Sequence, residues 1–208
     1  MKNILLLALI VTASFLNISC KNDKKNDTGI KILEVSKTYR IDGESSSIEW
    51  IAYKTTEKVP VKGEFKTIKI TNPKDAPSIN EAINGVKFSI PVSSLFTNEP
   101  TRDGKLKEFF FGVLDNTEFI SGEFTVNETE SNVSINMNGV TKTIPIDLII
   151  EGQKASFIST LNLNDWNLQG AVESINKACY DLHKGPDGIS KTWDEAEIKA
   201  IISLKTNG

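Results

Sequence analysis

The chain has 208 residues, 25% of them charged and 39% hydrophobic, with a net charge of −3. That is enough for one domain with its own core, and the slight acidity excludes the broad basic surface of a nucleic-acid binder. A single histidine, His183, excludes a multi-histidine zinc site and leaves one residue for any Ser-His-Asp arrangement, while two cysteines, Cys20 and Cys179, allow at most one disulfide.

Met1-Lys2-Asn3 is a short positive leader, and Ile4 to Leu16 is an apolar run long enough for a signal segment but short for a bilayer span. Leu16-Asn17-Ile18-Ser19-Cys20 then places a small residue directly before a cysteine. This resembles a bacterial lipoprotein cleavage site, in which Cys20 becomes the lipid-modified N-terminus, although Asn17 stands where such sites usually have Leu. The charged tract Lys21–Asp27 with Thr28-Gly29 is too poor in apolar surface to fold and reads as a tether. The expected organisation is a lipoprotein signal peptide at 1–19, a lipidated cysteine and flexible tether at 20–37, and a folded domain at 38–208. The expected location is the cell envelope, lipid-anchored to a membrane and facing the periplasm or the exterior.

Ser36–Asp42 predicts a first strand stopped by Asp42-Gly43, and Ser46–Lys54 a second, alternating Ile48, Trp50 and Ala52 with Glu49, Ile51 and Tyr53. Val59–Phe65 leads into a third that continues through Ile68 and Ile70; its apolar phase slips after Phe65, which a bulge near Gly63 or Thr67 explains. Residues 72–77 read as a loop, and Asn84-Gly85 opens a strand carrying Val86, Phe88 and Ile90. Pro100–Gly112 breaks this rhythm: Leu106, Phe109 and Phe110 share one helical face, and Gly112 stops the helix. Thr117–Val126 resumes strand. The strongest alternation follows, in Val133–Met137, Val140–Ile150 and Ala155–Leu163, with a type I′ hairpin signal at Asn138-Gly139. After Trp166, the spacing of Val172, Ile175, Cys179 and Leu182 predicts an amphipathic helix of about three turns, ended by Gly185-Pro186-Asp187-Gly188. A last strand from near Trp193 carries Ile198, Ala200, Ile202 and Leu204. The fold class expected is all-β: about eight antiparallel strands and two short helices, closed into a barrel because closure leaves no sheet edge.

Several stretches together resemble the YceI-like family of extracytoplasmic lipid-binding proteins. They are Tyr39-Arg40-Ile41-Asp42 with Ser47-Ile48-Glu49-Trp50; Lys62-Gly63-Glu64-Phe65; Arg102-Asp103-Gly104-Lys105-Leu106 followed by Phe119; Met137-Asn138-Gly139-Val140-Thr141-Lys142; and Leu163-Asn164-Asp165-Trp166. Each is weak alone; their order and spacing over about Thr38 to Lys205 carry the likeness. The resemblance implies a lipocalin-like barrel that holds a polyisoprenoid chain in its lumen. Two departures stand out. Lys105 occupies the place where the family pattern has His, and Ala171–Trp193 looks like an insertion that can cap one barrel mouth.

An eight-stranded barrel can be filled by its own side chains or left hollow for one ligand. The lumen candidates are Trp50, Phe65, Phe88, Phe124, Phe157 and Leu161, for which plain core packing is the alternative role. Arg102, Lys105 and Lys107 are candidates for the head group of a prenyl phosphate, since Arg makes forked contacts with phosphate; a solvated charged turn is the alternative. Cys179 and His183 lie four apart, but Cys179 falls on the apolar stripe as a small buried hydrophobe, and His183 reads as a partner for a helix C-terminus. No catalytic residue, metal site or cofactor is assigned, as no phosphate loop, paired carboxylate or metal-ligand spacing is present. The expected partners are a long apolar lipid with a polyisoprenoid as the implied class, a membrane reached through Cys20, and a second copy of the chain in a homodimer. Three functions follow in order of preference: a tethered lipid-binding module without catalysis, a structural or interaction lipoprotein with a filled barrel, and an enzyme centred on His183.

Overall fold

The computed structural model of the protein describes residues 36–207. The leader, Cys20 and nearly all of the tether lie outside the described residues. In chain order the elements are β1 (Thr38–Lys54), β2 (Val59–Phe65), β3 (Lys69–Thr71), α1 (Ile79–Ile83), β4 (Lys87–Pro91), β5 (Leu95–Phe96), α2 (Pro100–Phe109), β6 (Phe119–Val126), β7 (Ser131–Met137), β8 (Val140–Pro145), β9 (Ile149–Glu151), β10 (Lys154–Asn162), α3 (Gln169–Ala178) and β11 (Thr192–Asn207).

These strands form two antiparallel sheets, one ordered β5-β2-β1-β11-β10-β9 and the other β3-β4-β6-β7-β8. The single closed barrel of about eight strands is therefore corrected: among the described residues no hydrogen-bonded ladder joins the two sheets into a cylinder. The reason is visible at two places where the chain changes sheet. The phase slip after Phe65 is not a bulge within one strand; there the chain leaves β2 in the first sheet and enters β3 in the second. Likewise Val140–Ile150 is not one strand. Pro145 ends β8, buried Ile146 turns the chain, and β9 begins in the opposite sheet. At one margin β1 curls towards the second sheet far enough for Tyr39 and Ala76 to exchange backbone hydrogen bonds of 2.8 and 3.0 Å.

The two strands expected at the front are one, β1, whose register on β11 shifts between Asp42 and Ser47. Asp42 and Gly43 make a bulge there instead of an end. Ser46 bridges it, donating from Oγ to the Asp42 carbonyl at 2.7 Å and accepting from the Ser203 amide at 3.0 Å. The β7–β8 hairpin turns at Asn138 and Gly139 with φ of 51° and 75°, the left-handed pair a type I′ turn requires.

α2 and α3 lie where the sequence places helices. Pro100 starts α2, and the Glu99 side chain accepts from the amides of Thr101 at 3.0 Å and Arg102 at 2.6 Å, which satisfies its first donors. α3 ends at Ala178, so the predicted stripe stops at buried Cys179, and Leu182 stands exposed beyond it. The short helix α1 follows the predicted 72–77 loop, in residues to which the sequence reading assigns no element. Ser78 caps it by accepting from the Glu81 amide at 3.3 Å and donating to the Glu81 carboxylate at 2.8 Å, and it buries Ile79, Ala82 and Ile83.

Candidate functional site

The facing sides of the two sheets are lined by the inward residues of each strand: Ile48, Trp50 and Ala52 on β1, Phe88 and Ile90 on β4, Ile120 and Phe124 on β6, Val133, Ile135 and Met137 on β7, Phe157 and Leu161 on β10, and Ile198, Ala200 and Ile202 on β11. Between them lies a cavity of about 470 Å³, inside the range of about 300–1,000 Å³ usual for small-molecule sites. A side-chain-filled interior, the alternative expectation, is not what the chain adopts.

Two packed clusters bracket the cavity. One contains Phe124, Phe157, Trp166 and Leu204, and the other Phe65, Ile90, Leu95 and Phe111. Trp50, Phe88, Phe110 and Ile120 touch both and stay only half-buried, because they wall the hollow between them. Phe124 from one sheet meets Phe157 from the other with ring centroids 6.3 Å apart, and Phe88 lies 5.4 Å from Phe124. The Phe124–Phe157 contact ties the two sheets at the cavity wall, and Phe88 extends it within the second sheet. α3 closes one side with Val172, Ile175 and Cys179.

All six lumen candidates stand on this wall: Trp50, Phe65, Phe88, Phe124, Phe157 and Leu161. Trp50 holds a particular position. Its direct partner on β2 is Gly63, and a Cβ there would sit 2.1 Å from Trp50 Cζ2, so the indole lies flat on the glycine. The indole nitrogen is buried without a partner among the described residues.

The polar part of the wall is concentrated where three segments meet. Lys54 ends β1; Glu99, Thr101, Arg102 and Lys105 come from α2 and its cap; His183 comes from the stretch joining α3 to β11, and Thr192 opens β11. The predicted pair Arg102 and Lys105 thus stands on the cavity wall, Arg102 exposed and Lys105 half-buried, whereas Lys107 lies away from it. Glu99 is held below the usual carboxylate range: burial pulls it up, but the Arg102 and Thr101 amides outweigh that. Its carboxylate is thereby occupied at the α2 N-terminus. Among the described residues none of Lys54, Arg102 and Lys105 is in a salt bridge.

His183 is not the charged partner of a helix end. Burial, Lys54 and Lys105 push its pKa down to about 4, so it is neutral at pH 7. Its Nδ1 lies 2.7 Å from Thr192 Oγ1, which itself donates to Asn176 Oδ1 at 3.0 Å. With the Thr192 hydroxyl donating to Asn176, the Nδ1–H tautomer completes the chain, and Nε2 has no hydrogen-bond partner among the described residues. Lys54 Nζ donates to the Leu182 carbonyl at 3.1 Å, which fixes the segment over the end of β1.

Lys54, His183 and Thr192 were not foreseen at this place. The signal for Lys54 was present: it continues the parity of Ile48, Trp50 and Ala52, the inward phase of its strand. Nothing local in the sequence signals His183, because its position depends on how residues 179–191 fold back over α2 and β1. Among the described residues no group of three or more His, Cys, Asp or Glu is placed to hold a metal.

Residues 39–200 match the family described as the YceI-like domain. Two solved structures share the fold. A polyisoprenoid-binding domain from Saccharophagus degradans, implicated in plant cell wall breakdown, superposes with a TM-score of 0.61 at 10% identity, covering 81% of this chain and 98% of that one. BcnA from Burkholderia cenocepacia superposes with a TM-score of 0.55 at 14% identity, covering 79% of this chain and 99% of that one. No curated protein matches the sequence.

Proposed function

The chain belongs to the YceI-like domain family, and from that premise we propose that it is a lipid-binding module that encloses the apolar chain of an isoprenoid-like lipid between its two sheets. The observation that carries this reading is the apolar cavity of about 470 Å³. At about 30 Å³ for each group the size of a water or a methylene, it has room for about 15 such groups, the carbon count of three isoprene units. A longer tail would run out past the polar rim.

The mechanism is burial, with no bond made or broken. About 15 carbons at about 0.8 kcal/mol each give about 12 kcal/mol gross, set against about 4–15 kcal/mol for lost freedom on association. A balance of that kind gives reversible binding, which a carrier that must release its cargo requires. Arg102 and Lys105 are proposed to face the polar end of the ligand. We further propose that residues 38–208 form this module, held outside the cytoplasm by acylation of Cys20 after removal of residues 1–19.

Native mass spectrometry of protein purified gently from membranes tests the binding. The expected result is a co-purifying lipid lost on adding organic solvent, with a molecular mass fitting a polyprenyl series. A uniform apo mass from cells rich in such lipids overturns the reading. Metabolic labelling with a fatty acid, with Cys20→Ala as control, tests the anchor.

A further inference from the structure

The cavity rim holds more positive charge than the binding of an apolar tail explains. Lys54 comes from the end of β1 and Lys105 from α2; both are half-buried, and His183, on the segment after α3, lines the same cavity. Half-buried cations are ordinarily matched by carboxylates. Here the acidic side chain on the same wall, Glu99, is engaged by the α2 amides. On the histidine's own segment Asp181 is exposed and paired with Lys184 at 3.4 Å. Thr192 and Asn176, which hold the imidazole from behind, are neutral. The charge missing from this end of the cavity is therefore negative, and the unoccupied acceptor is His183 Nε2.

We propose that Lys54, Lys105 and His183 form a proton-linked receptor for an acidic lipid head group, a phosphate or a carboxylate, whose arrival places a proton on Nε2. The proposal rests on the lipid-binding reading above and adds the class of ligand and its dependence on pH. Burial first, and then Lys54 and Lys105, hold His183 neutral in the free protein; the anion neutralises the two lysines, removes their share of that effect and becomes the imidazolium's third partner. Binding takes up one proton wherever the pH lies between the free and bound pKa values, and affinity rises there by up to about tenfold per pH unit on acidification. Lys54 and His183 belong to features of this chain: a lysine closing the inward phase of β1, and the segment between α3 and β11.

Because His183 is the sole histidine, its imidazole resonances report the event without ambiguity. The ¹⁵N-labelled protein is titrated from pH 3.5 to 7.5 alone, with farnesol, and with farnesyl phosphate, whose tails match the cavity equally. The expected result is a pKa near the free value with farnesol, a rise of more than one pH unit with farnesyl phosphate, and at least tenfold tighter binding of the phosphate at pH 5.5. Lys54→Met and Lys105→Met should each remove most of that preference while farnesol still binds. His183→Gln should remove the part of the pH dependence that exceeds titration of the phosphate itself. Laurate in place of farnesyl phosphate separates the head groups: a shift with both assigns any anion, a shift with the phosphate alone assigns phosphate. Equal affinity for farnesol and farnesyl phosphate, with His183 unmoved, overturns the receptor and leaves the tail-binding reading intact. Binding of neither overturns both.

Discussion

Ala200→Phe distinguishes a hollow interior from a packed one. Ala200 is buried on β11, opposite Phe157 and Ile48, and its side chain faces the cavity. The substitution adds one phenyl ring. A cavity of about 150 Å³ admits a benzene, so a hollow of about 470 Å³ takes this ring and keeps about two-thirds of its volume. In a filled core the same insertion costs about 1–3 kcal/mol. Here the ring gains apolar burial without displacing neighbours, and unfolding in urea should show a stability within about 1 kcal/mol of the parent, or above it. Uptake of a fifteen-carbon isoprenoid should fall at least tenfold, because the remaining space is too short for it. A loss above about 3 kcal/mol with uptake unchanged would show that Ala200 faces packed side chains and that the lipid chain lies elsewhere.

Gly63→Ala should destabilise by about 1–3 kcal/mol in urea, since its Cβ would meet the Trp50 ring at 2.1 Å; in a Trp50→Leu background the cost should shrink, which a double-mutant cycle reads directly. Trp166→Phe removes the bond from fully buried Trp166 Nε1 to the Ile135 carbonyl at 3.0 Å, and the loss of ring volume and an orphaned acceptor should cost about 2–3 kcal/mol by thermal or urea unfolding. Ser78→Ala should cost about 1 kcal/mol through loss of the α1 cap. His183 titrates at about 4 in the fold against an ordinary 6.5, so the unfolded chain binds the proton more readily and stability is lost as pH falls through that window; discounted for the half-exposed ring, the loss is about 1–2 kcal/mol between pH 7 and 4, and it should be absent from His183→Gln in parallel unfolding curves.

The face of each strand was legible because inward residues alternate along every unbulged stretch of strand, and the six aromatic and aliphatic lumen candidates follow from that parity. What parity does not encode is sheet membership. Residues 66–68 look like a small irregularity in a continuous strand, and residues 146–148 like part of an unbroken one, yet each moves the chain from one sheet to the other. A strand of two or three residues such as β5 or β9 shows too few alternations to be seen at all. Conversely, Asp42-Gly43 carries turn chemistry, and β1 runs straight through it because pairing with β11 on both sides outweighs the local preference. The hollow was illegible for a different reason. Phe88, Phe110 and Ile120 are the same residue types whether they touch across a core or wall a void, and only the separation of the two clusters decides.

Lys105 stands where the family pattern leads one to expect histidine, which by itself exchanges a group that titrates near neutral pH for a lasting cation. The fold supplies a histidine from elsewhere: His183 reaches the same wall from the segment between α3 and β11, held by Thr192 and Asn176 behind it. The two changes are physically linked. Burial lowers the pKa of the imidazole most, and Lys54 and the cation at 105 lower it further, because a neutral imidazole is buried half-way at far lower cost than an imidazolium. Lys105→His should therefore raise the pKa of His183, since removing the permanent charge removes one of the causes that depress it. If NMR titration found that pKa unchanged, Lys105 would not be acting on His183, and the rim would be three solvated side chains that happen to share a cavity wall.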